Sequence, residues 1–138
     1  SQISGGSRTS VGGYFEPEPE DEKSEQFDVS DTRTLDEVVH WLMTMDYIPS
    51  FCTACYRAGR TGDRFMSLCK SGQIQNCCHP NALMTLNEYL EDYAKPETRA
   101  IGKTLIQKEL LNIPNEKVRA IATEHIAEMA AGKRDFRF

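Results

Sequence analysis

The chain has 138 residues, of which 39% are hydrophobic, 27% charged and 9% aromatic, and it carries a formal net charge of -5 at pH 7. That length suits one ordinary domain, which buries roughly two-thirds of the surface its unfolded chain exposes and folds without a covalent staple. The acidic balance excludes a nucleic-acid-binding surface, and no apolar run approaches a bilayer span or a signal-peptide core.

The opening stretch SQISGGSRTSVGGY combines a short apolar alternation with four glycines, which reads as one strand leading into a glycine-rich loop with no sheet to join. In EPEPEDEKSE, Glu16, Glu18, Glu20, Asp21, Glu22 and Glu25 surround Pro17 and Pro19, a composition that buries too little apolar surface to fold and reads as a solvated loop. From Thr34 the pattern turns helical. Thr34 and Glu37 form a T-x-x-E capping box, Leu35, Val38, Val39, Leu42 and Met45 recur at helical spacing, and Pro49 marks the stop.

A short second helix takes Thr61 as its N-cap, sets Phe65, Leu68 and Cys69 on one face, and ends before Gly72. A third starts near Pro80 with Leu83, Leu86, Leu90 and Tyr93 on one stripe. The fourth runs from Pro96 to about Leu111. The fifth begins at Pro114 and turns Val118, Ile121, Ala122, Ile126 and Met129 inward before Gly132. Five helices and little sheet make the body mainly α.

The cysteines carry the chemistry. Five is an odd number, and the neighbours Cys77 and Cys78 rarely close a disulfide, so a reducing cytoplasm fits better than a secreted disulfide framework. Cys52, Cys55 and Cys78 form a C-x2-C-x22-C pattern at loop-to-helix junctions, where the free N–H groups of a helix start favour a thiolate. Three thiolates are one ligand short of a tetrahedral metal or an iron-sulfur cubane, so the fourth position falls to His79, a spare cysteine or an exogenous group. Cys77 is an alternate third ligand, one small loop shift from taking the place of Cys78, while Cys69 reads as a small buried hydrophobe. His40 and His125 lie mid-helix and read as packing or surface residues.

Arg57, Arg60 and Arg64 stand between the cysteines in YRAGRTGDR. They either offset the charge of an anionic cluster or form a solvated basic loop paired with Asp63. The residues alone therefore leave three readings open: a structural Cys3His zinc knuckle worth about 10 kcal/mol or more of folding free energy, an iron-sulfur cluster with one open iron, or a helical interaction module whose cysteines are incidental.

Four stretches, SQISGGSRTSVGGY, FDVSDTRTLDEVV, DYIPSFCTACYRAGRTGDRFM and HPNALMTLNEYLEDYA, resemble the carboxy-terminal region of the [FeFe]-hydrogenase maturases that act as radical S-adenosylmethionine tyrosine lyases. The C-x2-C-x22-C spacing matches that family's auxiliary-cluster motif. The family shares a biotin and thiamin synthesis associated region with biotin synthase and with the tyrosine lyase of thiamine synthesis.

The resemblance implies a helical cluster-binding domain over residues 49–138, preceded over residues 1–48 by the terminal strand, acidic loop and last helix of a barrel. It implies that Cys52, Cys55 and Cys78 hold an auxiliary [4Fe-4S] cluster with an added iron, and that S-adenosylmethionine and its own cluster belong to the barrel. In such enzymes tyrosine is cleaved to p-cresol and dehydroglycine, and the latter yields carbon monoxide and cyanide for a hydrogenase cluster precursor. The implied partners are the barrel of the same chain and other hydrogenase maturation proteins, with no nucleic acid and no membrane. No C-x3-C-x2-C motif occurs in these residues, so the chain alone is expected to cleave no tyrosine, and apolar faces within residues 1–48 are expected to drive self-association.

Overall fold

A computed structural model describes residues 33–138. The expected strand and the acidic loop lie outside the described residues. Within them the chain forms α1 (Leu35–Thr44), α2 (Ala54–Arg57), α3 (Gly62–Lys70), a single π-helical turn (Ile74–Cys78) that runs straight into α4 (His79–Asp92), then α5 (Pro96–Leu110) and α6 (Glu116–Ala130). The fold is mainly α, as the periodicity requires.

The capping box forms in full. The Thr34 hydroxyl accepts from the Glu37 amide at 3.3 Å, and the Glu37 carboxylate accepts from the Thr34 amide at 2.6 Å, so two donors of the first turn are satisfied reciprocally. The helix stops earlier than Pro49. Asp46 takes a left-handed φ of 61°, and the Tyr47 amide turns back to the Leu42 carbonyl at 3.0 Å. An aspartate tolerates that conformation better than most residues, so it ends the helix. Pro96 opens α5 as expected, whereas Asn115 rather than Pro114 caps α6, its side chain accepting from Lys117 N and Val118 N at 3.0 and 3.3 Å.

α4 is the centre of the core. Pro80 to Met84, Leu86, Asn87 and Leu90 are all buried, because α5 and α6 pack against it. Leu83, Leu86 and Leu90 meet Leu105, Ile106 and Ile113, each fully buried aliphatic contributing about 1.5–3 kcal/mol of transfer free energy. The helices α4 and α5 cross closely at Gly102, where an added Cβ would overlap both methyls of Leu90. Buried Asn87 is satisfied by the Lys103 ammonium at 2.8 Å and the Met129 sulfur at 3.4 Å.

Two expected inward residues face out: Tyr93 and Ile121 are 78% and 41% exposed. Tyr93 follows the last residue of α4, where the stripe has left the core. Ile121 lies outside the arc that α6 offers to α4, which Ala122 and Met129 fill.

α1 packs on α5, and Val39 and Met43 belong to the same core as Leu83 and Leu105. Asp36 fixes it there, accepting from the Tyr89 hydroxyl at 3.2 Å, the Lys95 amide at 3.3 Å and the Thr98 hydroxyl at 2.8 Å. The expected boundary at residue 48 thus falls after a helix whose inner face is covered by the domain itself. Leu35, Trp41, Met45 and Tyr47 remain exposed.

Candidate metal centre

The first two cysteines flank the start of a helical turn that the periodicity did not announce. Cys52 precedes α2 and Cys55 lies within it, and four residues with none fully buried leave no hydrophobic signature. The chain leaves α2 through Gly59 and Gly62, both at positive φ. The Arg60 amide, between them, donates to the Cys55 carbonyl at 2.8 Å. The turn and the arginine are therefore one unit. Positive φ at both glycines is what lets the loop fold back this tightly.

Cys77 and Cys78 end the π-helical turn. A cavity of about 40 Å³ lies between the two halves, lined by Cys55, Cys69, Cys77 and Cys78 together with Arg60, Phe65 and Leu68. A wider opening of about 430 Å³ is lined by Cys52, Cys55, Arg60 and Phe65. Cys55 and Arg60 face both. Cys69, expected as a buried hydrophobe, is half-buried and turns to the thiols.

The electrostatics differ from the expectation that a helix start would favour thiolates. The Cys78 thiol is pushed above its ordinary value by burial first, then by Cys77, Cys55, Cys69 and Cys52. Burial also raises Cys77, with Arg60 pulling it back down and Cys55 and Cys52 adding to the rise. Local backbone geometry also withholds the expected helix-start stabilisation. Cys78 has helical dihedrals of -68° and -42°, so the π turn continues into α4 and exposes no free N–H crown at that point.

The alternate ligands divide. His79 does not line the cavity. Its Nε2 lies 3.4 Å from the Glu109 carbonyl and 3.5 Å from the Glu109 carboxylate on α5, which leaves the Cys3His set without its histidine. The Cys77 sulfur donates to the Phe138 carbonyl at 3.5 Å and accepts from the Asn81 amide at 3.5 Å. His40 contacts Thr98 at 3.3 Å and His125 stacks on Phe136 at 4.3 Å, so both serve packing.

Of the arginines, Arg57 is exposed and pairs with Asp135 at 3.7 Å rather than with Asp63, and Arg64 is exposed. Arg60 is different. Its Nε is buried and has no hydrogen-bond partner.

Neither a protein-family model nor a curated protein matches the chain. A solved structure does: the crystal structure of HydG, a maturase of the [FeFe]-hydrogenase, is 47% identical over 82% of this chain, with a TM-score of 0.75. The chain belongs to the HydG family, in its carboxy-terminal region. It spans 25% of the HydG chain it matches. Thiols are the donors an iron-sulfur cluster takes; Cys55 shares the narrower opening with Cys78 and the wider one with Cys52, and Arg60 lines both. Among the described residues no three of His, Cys, Asp and Glu are close enough together for one metal ion, and none of the helices is long and apolar enough to cross a membrane.

One feature of this HydG-family site carries no sequence signal that periodicity can read. The tail after α6 folds back over α4: the Phe138 amide donates to Asn81 at 2.8 Å, the Asp135 amide to Glu88 at 2.7 Å, and Arg134 forms a bidentate pair with Asp92 at 2.9 and 2.6 Å. Buried Asn81 thus ties the tail to the first turn of α4, one helical turn from Cys77. A hint lay in Phe136 and Phe138, two aromatics beyond the last helix.

Proposed function

We propose that this region holds an auxiliary iron-sulfur cluster through Cys52, Cys55 and Cys78 and serves in [FeFe]-hydrogenase maturation. The observation that carries the reading is that Cys55 shares one opening with Cys78 and another with Cys52, in a chain of the HydG family. Three protein thiolates leave one iron without a protein ligand. When bound, such a cluster supplies an open iron for small anionic and π-acid ligands, here the carbon monoxide and cyanide derived from tyrosine. The chain's own part is to supply the thiolates, to set a positive charge beside them, and to wall them with Phe65 and Leu68.

A cluster spreads its thiolates over separate irons, whereas one zinc ion at Zn–S about 2.3 Å demands sulfurs in mutual contact. The engagement of His79 with Glu109 favours the cluster over a zinc knuckle. S-adenosylmethionine binding and tyrosine cleavage belong to the parts of a HydG-length protein that this chain does not span. These 138 residues alone are expected to form no p-cresol from tyrosine. The barrel and other maturation proteins are the proposed partners, and the exposed Trp41 and Tyr47 are the side chains on α1 and its exit that such a partner would cover.

The test is anaerobic reconstitution with iron and sulfide, followed by iron counting and EPR. Cys52→Ser, Cys55→Ser and Cys78→Ser each lose most of the bound iron, while Cys77→Ser keeps it. A full cluster in Cys78→Ser, or equal loss from Cys77→Ser, overturns the ligand assignment.

A further inference from the structure

We propose that Arg60 is a positioning residue for the cluster: its buried Nε–H is the donor of an N–H···S hydrogen bond to cluster or cysteine sulfur, and that bond raises the reduction potential. This role rests on the cluster reading above and belongs to a residue outside the cysteine motif.

Arg60 carries an unmet donor. A buried N–H without an acceptor is costly, and native structures rarely keep one unless something absent from the protein atoms meets it. The Arg60 Nε is such a group. It cannot be met by solvent, since it is closed off from water. The acceptors nearest at hand are sulfurs, since Cys55, Cys69, Cys77 and Cys78 line the cavity that Arg60 also lines.

Sulfur is the acceptor at hand. Neutral thiols accept hydrogen bonds weakly, whereas thiolates and bridging sulfides carry the negative charge that makes a charge-assisted bond strong. Arg60 and Cys77 line the same cavity. Its backbone is pinned to the Cys55 carbonyl at 2.8 Å, between two glycines that hold the loop's turn. The guanidinium is therefore delivered by the same turn that delivers Cys55. Hydrogen bonds to the sulfurs are among the levers that set an iron-sulfur potential. The reduced cluster is the more negative state, so a donor stabilises it more than the oxidised one.

The experiment uses the chain reconstituted anaerobically with iron and sulfide, with metal content measured first and the midpoint potential then read by EPR-monitored titration. Arg60→Gln removes the charge and the Nε donor. Its equilibrium constant for reduction falls about tenfold, which for one electron is about 59 mV. Arg60→Lys keeps the charge without the Nε and shifts in the same direction. A loaded Arg60→Gln or Arg60→Lys protein with the wild-type potential overturns the proposal. Should these variants fail to load, pulsed EPR on a cluster-loaded Arg57→Lys, Arg64→Lys double variant labelled with 15N-arginine decides it. A 15N coupling to the cluster is expected, and its absence overturns the bond. A wild-type chain that takes up no iron and sulfide sinks the cluster reading itself, and this inference with it.

Discussion

Replacing Gly102 by alanine sets two effects of similar size against each other at the α4–α5 crossing. In an isolated helix the change is favourable by about 1 kcal/mol, because glycine is the poorer helix former. Here the new methyl would overlap both methyls of Leu90, and Leu90 is 0% exposed and surrounded by core. Overpacking of that kind costs about 1–3 kcal/mol, so Gly102→Ala is expected to destabilise by about 0–2 kcal/mol.

The informative measurement is a double-mutant cycle by urea denaturation. Leu90→Ala alone costs about 2–5 kcal/mol through the cavity it leaves. In that background the added methyl at position 102 has room, and Gly102→Ala is expected to stabilise by about 1 kcal/mol. The coupling energy is then about 1–3 kcal/mol, well above the additivity error of about 0.5 kcal/mol for independent sites. Equal effects of Gly102→Ala in the two backgrounds would refute the close-crossing argument.

Two further predictions concern the anchor of α1. Asp36→Ala removes the acceptor of Tyr89, Lys95 and buried Thr98, and is expected to cost about 1–3 kcal/mol in chemical denaturation; a loss below the scatter of the measurement would show that Asp36 does not hold α1. The Tyr89 hydroxyl is pushed up to about 12 by burial first, then by the Asp36 charge and the hydrogen bond to it. Its folded value lies above the unfolded one, so the stabilisation is complete below about pH 10 and is lost as pH rises towards 12. The half-exposed position reduces the effect to about 1 kcal/mol. Spectrophotometric titration should find a tyrosinate transition near pH 12 that vanishes in Tyr89→Phe and moves down in Asp36→Asn; a Tyr89→Phe profile with that transition intact would contradict it.

What the sequence made legible was whatever depends on neighbours along the chain. Thr34 and Glu37 announce a cap because both partners lie within one helical turn. Pro96 announces a helix start because it has no N–H to lose there. Misses arose where a distant surface decides. Ile121 keeps helical phase with Val118, yet α4 reaches only the arc of Ala122 and Met129. α2 is too short for a period. The tail's hold on Asn81 and Glu88 spans dozens of residues and follows no repeat.

The candidate site divides the same way. The C-x2-C-x22-C spacing singled out Cys52, Cys55 and Cys78 as candidates, but the contact of His79 with Glu109 was not legible, because Glu109 reaches it from another helix. Nor was Arg60 separable from Arg57 and Arg64, since three arginines in one glycine-rich loop look alike until burial tells them apart. The placement of Cys78 before a helix also suggested a stabilised thiolate, which the continuous π-to-α backbone there removes.

The site is built from two unequal halves. Cys77 and Cys78 stand on a turn continuous with α4, whose Pro80, Asn81 and Leu83 are buried and whose Asn81 is clamped by the tail. Cys52, Cys55 and Cys69 stand on or beside α2 and α3, neither of which fully buries a residue. One half is fixed by the core. The other has little packing of its own and carries an unmet donor in Arg60. Segments with few buried contacts sit at the low end of local stability. Metal ligation is coupled to local folding, so on the proposed reading a bound cluster would add stability to residues 52–72, and the burial that raises the Cys78 thiol is a cost its binding would have to offset.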